Sequence, residues 1–88
     1  MFAPLPVTLF RKAGCGLCDE AEVMLARIAL KTPLALTTID IDSDPVLQAR
    51  YLLEIPVVTV DGTEVARAPI SEAALRAALR RLFEAPGS

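Results

Sequence analysis

The 88-residue sequence contains no histidine and no tryptophan, and it has one tyrosine, three phenylalanines and only two cysteines. Without histidine, the commonest metal ligand and the usual general base near neutral pH are both missing. Lysine and arginine total 9 against 11 aspartates and glutamates, a net charge of −2 with the signs mixed along the chain. That balance supplies no basic footprint for nucleic acid and no polybasic segment for an anionic bilayer, so neither is an expected partner. No apolar run is long enough to span a membrane. Met1-Phe2-Ala3-Pro4-Leu5-Pro6 also lacks the basic start and apolar stretch of a signal peptide, which makes the cytoplasm the expected compartment. Internal repeats, low-complexity segments and linkers are absent as well.

What the chain does have is 53% hydrophobic and 23% charged residues, a globular composition rather than a disordered one. One domain spanning 1–88 is expected, large enough to bury a core without several disulfides or a metal. Residues 1–6 are expected to be extended and outside regular structure, because two prolines fall there, and 85–88 to form a frayed tail.

Val7-Thr8-Leu9-Phe10 is a short apolar run that suits a buried strand, followed by a polar turn over 11–14. From residue 15 or 16 to about 30, Leu17, Ala21, Met24, Leu25 and Ile28 recur at helical spacing, with Asp19, Glu20 and Glu22 in the early turns where the macrodipole favours acids. Thr32-Pro33 ends that helix, and a β-branched strand over 34–41 follows. Strand, helix and strand make a βαβ unit, so these two strands should be parallel. Asp44-Pro45 reads as an N-cap and first helical position for a short helix over about 45–53.

Val57-Val58-Thr59-Val60 and Thr63-Glu64-Val65-Ala66 flank Asp61-Gly62, which suits a type I′ hairpin turn and antiparallel strands. Ser71 can cap a last helix over 72–84 with Leu75, Ala78, Leu79, Leu82 and Phe83 on one face and a Glu72/Arg76 pair at i,i+4. The expected order is β-α-β-α-β-β-α, with the first strand inside the sheet.

Both cysteines lie in Ala13-Gly14-Cys15-Gly16-Leu17-Cys18, between the first strand and the first helix. A Cys-x-x-Cys pair at a helix start puts two sulfurs within bonding reach and favours the thiolate that thiol–disulfide exchange requires. A thiol pKa lowered from about 8.5 to about 7 raises the thiolate fraction at neutral pH from about 3% to about 50%. Lower basicity costs roughly fivefold in nucleophilicity, so the net gain is about threefold, and positioning must supply most of the rate. Arg11 and Lys12 would add positive charge near the pair, or be solvated loop charges, while Asp19 and Glu20 would oppose them.

Taken together, Val7 to Phe10 leading to Cys15-Gly16-Leu17-Cys18, then Ile39-Asp40-Ile41-Asp42, then Ile55-Pro56-Val57-Val58 and Asp61-Gly62, the chain resembles the glutaredoxin branch of the thioredoxin fold over nearly its whole length. The run Cys15-Gly16-Leu17-Cys18-Asp19-Glu20-Ala21 is most similar to the small bacterial glutaredoxin-like proteins. The resemblance implies an α/β fold with a four-stranded mixed sheet flanked by helices, and a monomeric thiol–disulfide oxidoreductase with no tightly bound cofactor. It implies that Cys15 is the nucleophile and Cys18 the resolving thiol. It also implies that Ile55-Pro56 is a cis peptide beside them and that the Ile55 backbone pairs with a thiol substrate. Gly16 and Leu17, with Arg11 and Lys12, would border that substrate, a disulfide-containing protein or a small thiol.

One departure concerns the electron donor. Glutathione-binding members usually carry two glycines before the last helix, where this chain has Ala68-Pro69-Ile70-Ser71, and proline has no N–H to offer a carboxylate. Glutathione and a thioredoxin-type reductase are both candidate donors, with weak glutathione coupling expected.

Three other readings accompany this one. An inert staple would contribute only about 2 kcal/mol for so short a loop. Half of a zinc or iron–sulfur site completed by a second subunit would use the same two thiols, since two thiolates cannot fill a tetrahedral shell. A non-enzymatic binding module is the third. Asp40, Asp42 and Asp44 are better explained by capping than by metal, and Tyr51 and Met24 by packing.

Overall fold

The computed structural model describes residues 3–85. Its elements are β1 (Leu5–Arg11), α1 (Gly16–Ala29), β2 (Leu34–Asp40), a 3-10 turn (Ile41–Ser43), α2 (Pro45–Tyr51), β3 (Val57–Val60), β4 (Thr63–Arg67) and α3 (Glu72–Glu84). The expected order therefore holds, in a mixed sheet of four strands ordered β2-β1-β3-β4. β1 pairs parallel with β2 from Leu5↔Leu34 to Arg11↔Asp40, and antiparallel with β3 from Val7↔Val60 to Phe10↔Val57. No helix among the described residues is long and apolar enough to cross a membrane.

The sheet has one well-covered face. Val7 and Leu9 of β1 and Val58 and Val60 of β3 point to the side where Ala21, Leu25 and Ile28 of α1 meet Leu75 and Leu79 of α3. On the other face a smaller cluster joins Ile41, Tyr51 and Val57, with Phe10, Leu47 and Ile55 packed against it. Tyr51 stacks on Phe10 with ring centroids 4.6 Å apart, which fixes α2 over the C-terminal end of β1.

Local signals set most boundaries. The Asp44 carboxylate accepts the Val46 N–H at 2.8 Å and Pro45 occupies the first turn of α2. The Ser71 hydroxyl accepts the Ala74 N–H at 3.2 Å, and α3 spans the expected residues. Asp61 and Gly62 have φ of 49° and 81°, the two positive values a type I′ turn requires. Arg76 meets Glu72 at 2.8 Å.

Several expectations need correction. β1 begins at Leu5, so Leu5 and Pro6 belong to the strand rather than to an irregular N-terminal segment. The Leu5 N–H donates to the Pro33 carbonyl at 2.9 Å, while pairing with β3 starts only at Val7, so the N–H that Pro6 lacks has no carbonyl opposite it. β2 ends at Asp40, because the Asp40 side chain accepts the Asp42 N–H at 2.8 Å and turns Ile41 inward. α2 stops at Tyr51, where the Glu54 and Ile55 N–H groups both close onto the Tyr51 carbonyl, at 2.8 and 3.0 Å.

Two positions on the apolar stripes are not core. Leu17 is 55% exposed and Leu82 40% exposed, each in an end turn of its helix. The expected frayed tail over 85–88 lies, apart from Ala85, outside the described residues, as do residues 1 and 2.

Candidate active site

β1 delivers the chain to the sheet's C-terminal edge, and Gly14, with φ of +78°, makes the turn into α1. A side chain at that φ would be strained, which is why glycine stands there. Cys15 is the N-cap of α1, with an extended backbone. Its Sγ accepts the Cys18 N–H at 3.2 Å, so the sulfur takes the place that a serine or aspartate oxygen takes at other helix starts. The carbonyl of Cys15 accepts the Asp19 N–H at 3.1 Å, closing the first turn.

Cys15 and Cys18 are joined as a disulfide, with Cα atoms 5.2 Å apart. Their surroundings differ. Cys18 faces the core at 0% exposure, whereas Cys15 is half-buried and Gly16 and Leu17 are exposed. Only one sulfur of the pair is open to a reactant from outside.

Arg11 and Lys12 lie beside this turn, but their charge is already engaged. Arg11 ends β1 and is mostly covered, with 17% of its side chain exposed; it bridges Asp19 at 2.8 Å and Glu22 at 2.7 Å. The hydrogen bond to Asp19, then that to Glu22, holds the guanidinium pKa above its ordinary value. Lys12 is 3.6 Å from Asp42, which also accepts from the Gln48 amide at 3.0 Å. Of the two readings of Arg11 and Lys12, as positive charge near the pair opposed by Asp19 and Glu20 or as solvated loop charges, the opposition by Asp19 is a direct bridge to Arg11, while Glu22 rather than Glu20 supplies the second carboxylate. Arg11 clamps the first turns of α1 to β1, and its charge is offset by two carboxylates.

The Ile55–Pro56 peptide bond is cis, and so is Ala68–Pro69. Pro56 precedes Val57, the β3 residue that pairs with Phe10, which puts Ile55-Pro56 at the same sheet edge as the cysteine turn. Pro56 is buried and Ile55 packs into the smaller core. The Ile55 N–H already donates to Tyr51, so the expected pairing of its backbone with substrate is narrowed to its carbonyl oxygen. The Ala68 N–H donates to the Pro56 carbonyl at 3.1 Å and ties the chain before α3 to this segment.

Between these pieces lies a small cavity of about 100 Å³ bordered by Leu17, Ala21, Met24, Pro56 and Ile70, with Ala68-Pro69 at its end and Glu20 as its one charged neighbour. Met24, Ala68, Pro69 and Ile70 were not among the site residues expected from sequence. A signal did exist: Leu17, Ala21 and Met24 share one helix face that the core needs only in part. Asp40, Asp42 and Asp44 serve as caps and pairs, and no group of three or more His, Cys, Asp or Glu among the described residues could hold a metal ion.

The sequence matches the glutaredoxin-like domain (DUF836) over residues 6–80. An uncharacterized protein of Mycobacterium tuberculosis is 32% identical over 80 residues, which cover 85% of this chain and 82% of that protein. The X-ray structure of a structural-genomics target protein from X. campestris superposes with a TM-score of 0.72 at 33% identity, covering 84% of this chain and 95% of that one. A mutant thioredoxin from Halobacterium salinarum superposes with a TM-score of 0.69 at 26% identity, covering 92% and 76% of the two chains. With its cysteine pair at disulfide distance on a thioredoxin-like sheet, the chain belongs to the glutaredoxin-like domain family.

Proposed function

We propose that the protein is a thiol–disulfide oxidoreductase working through both cysteines. The observation that carries this reading is the asymmetry of the pair: Cys15 caps α1 and is accessible, while Cys18 is bonded to it from a fully buried position. In the reduced protein the Cys15 thiolate attacks one sulfur of a substrate disulfide, and the other sulfur leaves as a thiolate that takes a proton from water. Cys18 attacks Cys15 Sγ, the second substrate sulfur leaves as a thiolate, and the proton lost by Cys18 ends on that sulfur to give the second substrate thiol. Two electrons pass from the dithiol to the substrate, and the Cys15–Cys18 disulfide remains.

A thiol donor then restores the dithiol. A thioredoxin-type reductase fits this role better than glutathione, because Pro69 lacks an N–H for a carboxylate. The protein acts as a monomer on disulfide-containing proteins or small thiols in the cytoplasm, with no bound cofactor and with neither nucleic acid nor membrane as partner. Family membership and the helix-capping sulfur support the chemistry.

The test is a disulfide-reductase assay on the wild-type protein, Cys15→Ser and Cys18→Ser, run in parallel with glutathione plus its reductase and with thioredoxin reductase. Cys15→Ser should be inactive, and Cys18→Ser should accumulate a mixed disulfide visible by mass spectrometry. Trapping on Cys18 in the Cys15→Ser protein instead would reverse the roles. A redox titration should give a potential between about −180 and −270 mV; a value well below about −300 mV would make the bond a staple.

A further inference from the structure

We propose that the cleft between the C-terminal ends of α1 and α3 binds the phosphate monoester group of a small organic molecule, at a site separate from the cysteine pair. The site goes beyond the oxidoreductase reading and does not depend on it. Cys15 caps the start of α1 and Lys31 follows its end, with 14 helical residues, about 21 Å of helix, between them.

Charge sorting is the first observation. Segments 27–31 and 72–84 carry five cations, Arg27, Lys31, Arg76, Arg80 and Arg81, against the carboxylates Glu72 and Glu84, a net charge of +3. The rest of the chain holds four cations and nine carboxylates, a net charge of −5. Packing of α1 and α3 on one face of the sheet brings the two basic segments together, and Arg27 meets Glu72 at 3.4 Å. The carbonyl ends of the two helices offset about half a charge each, so about +2 remains. A phosphate monoester carries about −1.5 to −2 at pH 7.

Open donors are the second. Arg76, 2.8 Å from Glu72, shares that carboxylate with Arg27, and Arg80 stands 3.6 Å from Glu84. Lys31 and Arg81 have no ion pair among the described residues. Thr32 lines the same cleft and is 5% exposed, and its hydroxyl has no hydrogen-bond partner among the described residues. An ammonium, two guanidinium groups and a hydroxyl can therefore donate to phosphate oxygens from both sides of the cleft.

Shape is the third. Lys31, Thr32, Arg76, Arg80, Phe83 and Glu84 border a cavity of about 350 Å³, within the roughly 300–1,000 Å³ of small-ligand sites. The Phe83 ring and the stems of the lysine and arginines give it carbon walls, which suit the organic body behind a phosphate group. Glu84 is the one carboxylate there, and it opposes an anion.

The test titrates the ¹⁵N-labelled oxidised protein with phenyl phosphate, inorganic phosphate and phenol at constant ionic strength, read by amide and arginine side-chain NMR shifts. Phenyl phosphate should saturate with a Kd below about 1 mM and bind at least about threefold tighter than inorganic phosphate. The shifts should centre on residues 31–32 and 76–84. Lys31 and Arg80 are exposed, so replacing them leaves the core intact. The double variant Lys31→Gln, Arg80→Gln should bind at least about tenfold more weakly, the loss of charge-assisted hydrogen bonds. Glu84→Gln should bind more tightly. Arg50→Gln, which removes one positive charge on α2 across the sheet, should leave the Kd unchanged.

No saturation by about 10 mM phenyl phosphate, a Kd above 1 mM, or inorganic phosphate binding as tightly would overturn the site. So would phenol binding equally well, shifts centred on Arg11, Arg50 or Arg67, an unchanged Kd in the double variant, or weaker binding by Glu84→Gln. A loss in Arg50→Gln as large as in the double variant would reduce the effect to net charge and overturn it too.

Discussion

The Cys18 backbone N–H donates to the Sγ of Cys15 at 3.2 Å, so a donor from the first turn of α1 points at the more accessible sulfur of the pair. On reduction the same donor and the helix dipole favour negative charge on Cys15, while Cys18 is fully buried. In the reduced protein at pH 7, iodoacetamide should therefore alkylate Cys15 at least about tenfold faster than Cys18. Peptide mapping at short times checks this, and preferential labelling of Cys18 would contradict it.

Arg11→Met keeps an aliphatic stem in place but removes the bridges to Asp19 and Glu22. A loss of roughly 1 kcal/mol is expected, read as a fall in Tm of about 4–8 °C for a domain of this size. Because the folded-state pKa of Arg11 is raised, its contribution is fully present below the unfolded value and is lost only as pH rises through the higher folded one. The difference between wild type and variant should thus be constant from pH 6 to pH 9. A difference that vanishes on going from pH 6 to pH 9 would assign the effect to another group.

Asp44→Ala leaves the Val46 N–H without its acceptor. Such caps are worth about 1 kcal/mol, and here the cost falls on a helix of 7 residues that is marginal by itself. Amide hydrogen exchange should accelerate across α2 before it does in β1 or β3, with Asp44→Asn retaining most of the protection. Uniform acceleration through the whole protein would show instead that α2 opens only with global unfolding.

Leu25 and Leu53 are the same residue type in opposite surroundings, 0% and 96% exposed. Leu25→Ala empties space between α1 and the sheet and should cost about 2–5 kcal/mol in denaturant unfolding. Leu53→Ala should change stability by less than about 0.5 kcal/mol. Comparable losses for the two variants would mean that Leu53 is covered in solution.

The features legible in the sequence are those that one turn of chain decides. The Cys-x-x-Cys spacing at a helix start, the Asp44 and Ser71 caps, the Asp61-Gly62 turn and the limits of α3 each depend on groups within four residues of one another. Their hydrogen bonds join groups close together in the chain, so residue type and spacing suffice to place them.

Features that depend on where the chain returns were not legible. Helical periodicity put Leu17 on the buried stripe of α1, but whether a stripe residue is core depends on what distant parts of the chain pack over it, and Leu17 is left 55% exposed. The sequence left Arg11 and Lys12 either as positive charge near the pair or as solvated loop charges; packing of α1 on β1 decides it for Arg11 by bringing Asp19 and Glu22 onto its guanidinium. The Ala68 N–H reaches the Pro56 carbonyl across a whole hairpin, and that contact, with Met24 and Ile70, walls the cavity beside Cys15.

By itself, then, the sequence determined the cysteine pair and its place at a helix start, because spacing and local donors are read within one turn of chain. Only the tertiary structure decided which sulfur is open, which charges are already spent on one another, and which residues border the cavity at the cysteine turn, because each of those depends on surfaces brought together from distant parts of the chain.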